Sequence, residues 1–125
     1  MLHHVSLGVL HLERATRFYD AALAPLGYSR VWTTADAAGY DPHGPDEKLA
    51  LKRRDGAAPP GAGFHLALAA PSRAAVDDFF RAVVANGGRD NGAPGLRPHY
   101  GPSYYAAFVI DPDGYHLEAV FKAVV

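Results

Sequence analysis

The sequence predicts an α+β fold built from two halves of β-α-β-β-β type. Three observations carry that expectation. Short stretches with the two-residue period of strands surround two stretches with helical period. An Asp-Pro-Asp-Gly turn at residues 111–114 separates two apolar runs and marks a hairpin. The chain also repeats itself: His4 aligns with His65, Phe18-Tyr19 with Phe79-Phe80, and Gly27 with Gly88, at one offset of about 60 residues. Chance readily aligns one histidine pair, but much less readily an imidazole, an aromatic doublet and a helix-ending glycine together.

In chain order, residues 2–9 alternate as a strand. His3, Val5, Leu7 and Val9 form its apolar face, and Leu2, His4, Ser6 and Gly8 a smaller, more polar one. Residues 12–24 turn helical, with Ala15, Phe18, Tyr19, Ala22, Leu23 and Leu26 available for burial, and Pro25 and Gly27 end the run. Strands are expected at 28–34, 39–41 and 49–52, with a Pro42, Gly44, Pro45 turn before the last. Residues 55–63, rich in Gly, Ala and Pro, read as a linker, so the first module is 1–56 and the second 62–125. The plan then restarts. Residues 63–69 form a strand with His65, Ala67 and Ala69 on one face and Phe64, Leu66 and Leu68 on the other. Ser72 is a good N-cap for a helix over 73–85 that buries Val76, Phe79, Phe80 and Val83. Asn86-Gly87-Gly88 closes it, and a long loop over 89–102 leads to the hairpin.

In that hairpin Pro112 presets φ at a turn corner and Gly114 supplies a positive φ. Beyond it Tyr115, Leu117, Ala119 and Phe121 share one face, and His116, Glu118 and Val120 the other. Glu118 is thus an acid in the middle of an otherwise apolar strand. Such a carboxylate is costly unless it is solvated, paired or bound to a metal.

With 125 residues the chain is long enough for one domain with a real core. It is 49% hydrophobic and 20% charged, an ordinary globular balance. A net charge of −1 gives no reason to expect nucleic acid or a membrane as partner. The absence of cysteine excludes disulfides and thiolate metal sites. No apolar run is long enough to span a bilayer and no leader pattern opens the sequence, so a cytoplasmic protein is expected.

His4-Val5, Phe18-Tyr19, Leu26-Gly27, His65-Leu66-Ala67-Leu68 and Asp111-Pro112-Asp113-Gly114-Tyr115-His116-Leu117-Glu118 together resemble the vicinal oxygen chelate superfamily. That family includes glyoxalase I, extradiol dioxygenases, fosfomycin resistance thiol transferases and bleomycin-binding proteins. The resemblance covers essentially the whole chain, and the hairpin is its most specific piece. It implies two βαβββ modules forming a curved mixed β-sheet cup, with helices on the convex side, around one divalent metal ion (Zn, Fe, Mn or Ni). It also implies a homodimer with sites near the interface and a small-molecule substrate that chelates the metal through vicinal oxygens. His4, His65 and Glu118 occupy the family's ligand positions. The residues agree independently, since each lies on the strand face opposite the bulky apolar one. Two imidazoles and a carboxylate suit Fe(II) with open positions, and the same set holds other divalent ions. The competing reading is a hydrated pocket in which Glu118 pairs with Arg or His. His3 is expected to be structural, His11 exposed, and His116 to share the face of Glu118 near the turn.

Glyoxalase I carries a second glutamate on the last strand of its first half. Aligning the turns places Leu51 or Lys48 opposite Glu118, and neither is a carboxylate; Glu47, at the strand entrance, is the nearest acid. The three-ligand pattern instead resembles extradiol dioxygenases and fosfomycin thiol transferases. The loop over 95–105 mixes a cation, an imidazole and phenols, groups that bind an oxyanion or move a proton. Glu118, His99, Tyr100 and Tyr105 are therefore expected as catalytic residues, and Arg97, Tyr104, Trp32 and Tyr40 as substrate contacts. Against this, the loop aromatics could merely pack, Trp32 could be core, and Lys52-Arg53-Arg54 is most simply an exposed strand end. The expected function is a metal-dependent lyase or isomerase of glyoxalase type. The alternatives are an extradiol-type Fe(II) dioxygenase, a fosfomycin-type thiol transferase, and a metal-free antibiotic-binding protein.

Overall fold

The computed structural model describes residues 1–123, so the last two residues of the expected second module lie outside the described residues. The first half contains β1 (Val5–Val9), α1 (Leu12–Leu23), β2 (Ser29–Thr33), β3 (Ala37–Asp41) and β4 (Leu49–Arg53). The second contains β5 (Leu66–Ala69), α2 (Arg73–Ala85), β6 (Arg89–Asp90), β7 (Gly95–Leu96), β8 (Tyr104–Ile110) and β9 (His116–Lys122). The fold is α+β, and its repeat is one of topology. The first sheet runs β1-β4-β3-β2 and the second β5-β9-β8-β6, each with its first strand parallel to its last and the rest antiparallel. The counterpart of β2 is split into β6 and β7, both paired with β8. The expected loop over 89–102 therefore carries two short strand pairings, with a 3-10 turn at Pro98–Tyr100.

The expectation of one cup is met differently within a single chain. The strands form two sheets with no ladder between them, so β1 and β5 remain open edges among the described residues. The halves join through α1 on α2, where Phe18, Leu23, Val76, Phe79 and Val83 are among the fully buried side chains. Burial picks these faces because the apolar residues recur at helical spacing. Ser72 caps α2, its hydroxyl accepting from Ala75 N at 3.0 Å.

The repeat slips by one residue at the helix ends. Gly27 ends the first helical run with φ 91°, but in the second half it is Gly87, at φ 94°, that adopts this conformation. Gly88 is needed for space instead: a Cβ there would lie 2.4 Å from Val83 Cγ1 and 2.8 Å from a Phe18 ring carbon.

The Asp-Pro-Asp-Gly turn is a clasp between the halves. Asp111, 2% exposed, accepts from the Tyr19 hydroxyl of α1 and from Asp113 N and Tyr115 N. Asp113 accepts from Leu10 N at 3.1 Å and from Arg14 at 2.9 Å. The Tyr115 hydroxyl donates to Gly8 O at 2.7 Å. Among the described residues, no helix is long and apolar enough to cross a membrane.

Candidate active site

Leu117 and Val109 lie in the core, and Tyr105 reaches α2, its hydroxyl donating to Asp77 at 2.6 Å. Alternation then turns the even-numbered residues of β8 and β9 away from the helices. Glu118 is on that face and is 2% exposed. Its carboxylate lies 3.2 Å from His65 Nε2, and it accepts from the Tyr104 hydroxyl at 2.5 Å. Burial, then the bond to Glu118, pushes the Tyr104 phenol up to about 12. The rings of Tyr100 and Tyr104 are tilted with centroids 5.2 Å apart, and those of His99 and Tyr100 are 4.2 Å apart, so an aromatic row leads from the rim to Glu118. A cavity of about 250 Å³ lies beside it, lined by His65, Asn91, Tyr100, Phe108 and His116 among others. Arg97 borders this face: its guanidinium sits 5.3 Å from the centroid of the Phe108 ring and donates to Ala93 O.

His4 is not part of this cluster. Within the chain it stands with His3, whose Nδ1 is 2.9 Å from His4 Nδ1, and with Glu47, whose Oε2 is 3.9 Å away. Trp32 belongs to the same place, because its indole Nε1 donates to Glu47 Oε1 at 2.9 Å. Among the described residues, His3, His4 and Glu47 are the one group of three potential donors within 4.8 Å of each other. The three expected ligands thus divide into a first-half position and a second-half pair. Both histidines stand one residue before an open edge, at β1 and β5.

Three further expectations change. Tyr105 faces α2, with Arg73 5.1 Å over its ring, so Tyr104 and not Tyr105 meets Glu118. Tyr40 is fully buried on the helix side, its hydroxyl donating to Asp20 at 2.8 Å, and burial raises its pKa. Neither Leu51 nor Lys48 is the counterpart of Glu118. Glu118 pairs with Ala67 of β5, and the equivalent ladder pairs Ser6 of β1 with Ala50. Sequence reasoning noted Glu47 only as the nearest acid at the strand entrance; its place beside His4 depends on the path of the turn before β4. Tyr104, expected as a substrate contact, could have been placed on the face of Glu118 by carrying the alternation of β9 across the hairpin, since Phe108 pairs with Glu118.

A model of the Glyoxalase/Bleomycin resistance protein/Dioxygenase superfamily matches residues 1–119. A glyoxalase/bleomycin resistance protein from Albidiferax ferrireducens T118 is 31% identical, with a TM-score of 0.83 over 97% of this chain and 98% of that one. A glyoxalase-related enzyme from Fulvimarina pelagi is 23% identical, with a TM-score of 0.76 over 98% of this chain and 88% of that one. The genomically encoded fosfomycin resistance protein FosX from Listeria monocytogenes shares the fold at 15% identity, with a TM-score of 0.72 over 99% and 94%. No curated protein matches the chain. The matched residues, the paired modules and the likeness of fold make this chain a member of the Glyoxalase/Bleomycin resistance protein/Dioxygenase superfamily.

Proposed function

We propose that the protein is a cytoplasmic homodimer in which His4 of one chain joins His65 and Glu118 of the other at a divalent metal ion. The reaction is of the glyoxalase-like lyase or isomerase type. The observation that carries this reading is the His65–Glu118 pair: a 2%-exposed carboxylate 3.2 Å from an imidazole, with no Lys or Arg in its ion pair. Metal bonds of about 2.0–2.2 Å set neighbouring donor atoms roughly 3 Å apart, so the pair has ligand spacing. The donors are nitrogen and oxygen, which suits Zn, Fe, Mn or Ni. When bound, the ion supplies Lewis acidity to two vicinal oxygens of a small substrate.

The chain's own groups do the rest. The Tyr104 hydroxyl fixes the rotamer of Glu118. Tyr100, Phe108 and His116 wall the adjacent cavity and exclude water from one side of the substrate. In this reading Tyr100 and His99, at the rim, exchange protons with solvent, and Arg97 meets an anionic substituent. Dimerisation is supported by the open apolar edges. A groove of about 200 Å³ between them is lined by Leu2, Val5, Leu49, Leu66 and Leu68 beside His4.

The position of Ala50 favours a second reading, a three-ligand site of dioxygenase or thiol-transferase type. Elemental analysis of protein purified without added metal tests the first claim. One ion per chain is expected, with its loss in Glu118→Ala and His65→Ala at unchanged circular dichroism. Unchanged metal content in both variants would sink the metal-dependent reading and leave a binding pocket in which Glu118 simply pairs with His65 and Tyr104. A screen of α-ketoaldehyde adducts, catechols and epoxides then separates the reaction types.

A further inference from the structure

We propose that Glu47 is an additional metal ligand, delivered from the turn before β4 and positioned by Trp32. The inference rests on the metal-dependent reading above, in which His4 is the first half's ligand. The strand position equivalent to Glu118 is Ala50, and a methyl group gives a cation nothing. The residues around Ala50 are also small. Ser6 and Gly39 are its ladder partners, and Trp32 pairs with Gly39 on the far side.

That smallness lets the indole settle onto the sheet. A Cβ at Gly39 would fall 2.4 Å from Trp32 Nε1 and Cε2. The seated indole donates to Glu47 Oε1 at 2.9 Å, which leaves Oε2 turned toward His4. At 3.9 Å the carboxylate and imidazole are too far apart to bond each other. Donors sharing one ion lie about 3–4 Å apart for bonds of about 2.0–2.2 Å, which this separation matches. His3 completes the local group, all within 4.8 Å.

Glu47 therefore restores, from a turn, the carboxylate that β4 lacks. Two carboxylates balance the double charge of the ion, and the added ligand fills a position that a three-ligand site leaves to solvent. This favours the glyoxalase-like branch over the three-ligand alternatives.

The chain has one tryptophan, so its fluorescence reports on Trp32 alone. Zinc is redox-silent and serves as the probe. Titration of metal-free protein with zinc should change Trp32 emission, and competition with a chelator gives the affinity. Glu47→Gln is expected to lower zinc affinity by about 100-fold and abolish the emission change, because even outer partners of a ligand cost 10–100-fold. Trp32→Phe, which keeps an aromatic ring but removes the indole N–H, should cost roughly 10-fold in the competition assay.

Wild-type zinc affinity and an intact emission change in Glu47→Gln overturn the proposal. If His65→Ala and Glu118→Gln still lose zinc, the metal-dependent reading survives that failure. If they also bind as wild type, both readings fall. Loss in Glu47→Gln with retention in His65→Ala establishes Glu47 as a ligand and overturns the shared site.

Discussion

Tyr19→Phe removes one oxygen from the clasp between the halves, and the structure sets its cost. Tyr19 is fully buried and its hydroxyl donates to Asp111, itself 2% exposed. Deleting the hydroxyl takes the donor from Oδ2 and leaves Oδ1 its two backbone donors, Asp113 N at 2.9 Å and Tyr115 N at 2.8 Å. The loss is therefore that of one hydrogen bond to a charged group, about 1.5–3 kcal/mol. It falls short of the ~3–5 kcal/mol of a buried charge stripped of its partner. A value of about 2 kcal/mol in a chain of this size lowers Tm by roughly 6–10 °C.

The pH dependence has a definite sign. Burial, the largest influence, holds the Asp111 carboxyl above its usual value, and the Tyr19 bond pulls it back down. A carboxyl raised in the folded state contributes stability that is fully present below its unfolded pKa, about 3.9, and lost as pH rises through the folded value. Removing Tyr19 raises the folded value further. The cost of the substitution is thus greatest at neutral pH and shrinks as pH falls toward about 4. Urea unfolding followed by circular dichroism between those limits measures it. A neutral-pH loss below about 0.5 kcal/mol, the range of an ordinary surface change, refutes the clasp, as does a loss that grows toward acid.

Glu118→Gln removes the carboxylate that helps hold the Tyr104 phenol near 12, so that phenol should titrate lower, by ultraviolet phenolate absorbance; an unmoved profile means that Tyr104 and Glu118 do not meet in solution. Gly88→Ala forces a methyl into Val83 and Phe18 and should cost about 1–3 kcal/mol in urea unfolding, whereas a neutral result means that the helix packing can shift. Leu66→Glu places a charge in the groove between the open edges. It should give a monomer by size-exclusion chromatography and lose bound metal at the same time, and a monomer with full metal content contradicts a site shared between chains.

What was legible in the sequence followed period and turn chemistry. Ser72 announced a helix start, the Asp-Pro-Asp-Gly turn announced a hairpin, and alternation placed Glu118 off the core face. The errors came where a register had to be carried around a turn. Ile110 pairs with His116, which leaves residues 111–115 in the second-half turn. Tyr40 pairs with Leu49, which leaves residues 41–48 in the first. Turns of unequal length cannot be aligned residue for residue, so Leu51 and Lys48 displaced Ala50. The same length lets Glu47 fold back toward His4, and nothing in local propensity encodes that path. Tyr40 was misplaced because an aromatic on a short strand suits either face until its neighbours are known.

The division of the histidines follows from how the halves are held. Among the described residues no ladder joins the two sheets, so their mutual placement depends on the helix pair and on the hairpin clasp. Edge strands that display unpaired backbone beside apolar side chains invite pairing with another chain. β1 and β5 are such edges, and His4 and His65 immediately precede them. Whatever covers those edges therefore also decides what faces each histidine. The clasp enters here a second time, because β9 carries Glu118 onward from the turn that Asp111 and Asp113 anchor to α1. It is not saturated: Arg14 Nε and Asp113 Oδ2 are buried without partners. A lesion at Tyr19 or Arg14 should thus reach Glu118 through the hairpin, and loosen the second-half cluster without touching any of its side chains.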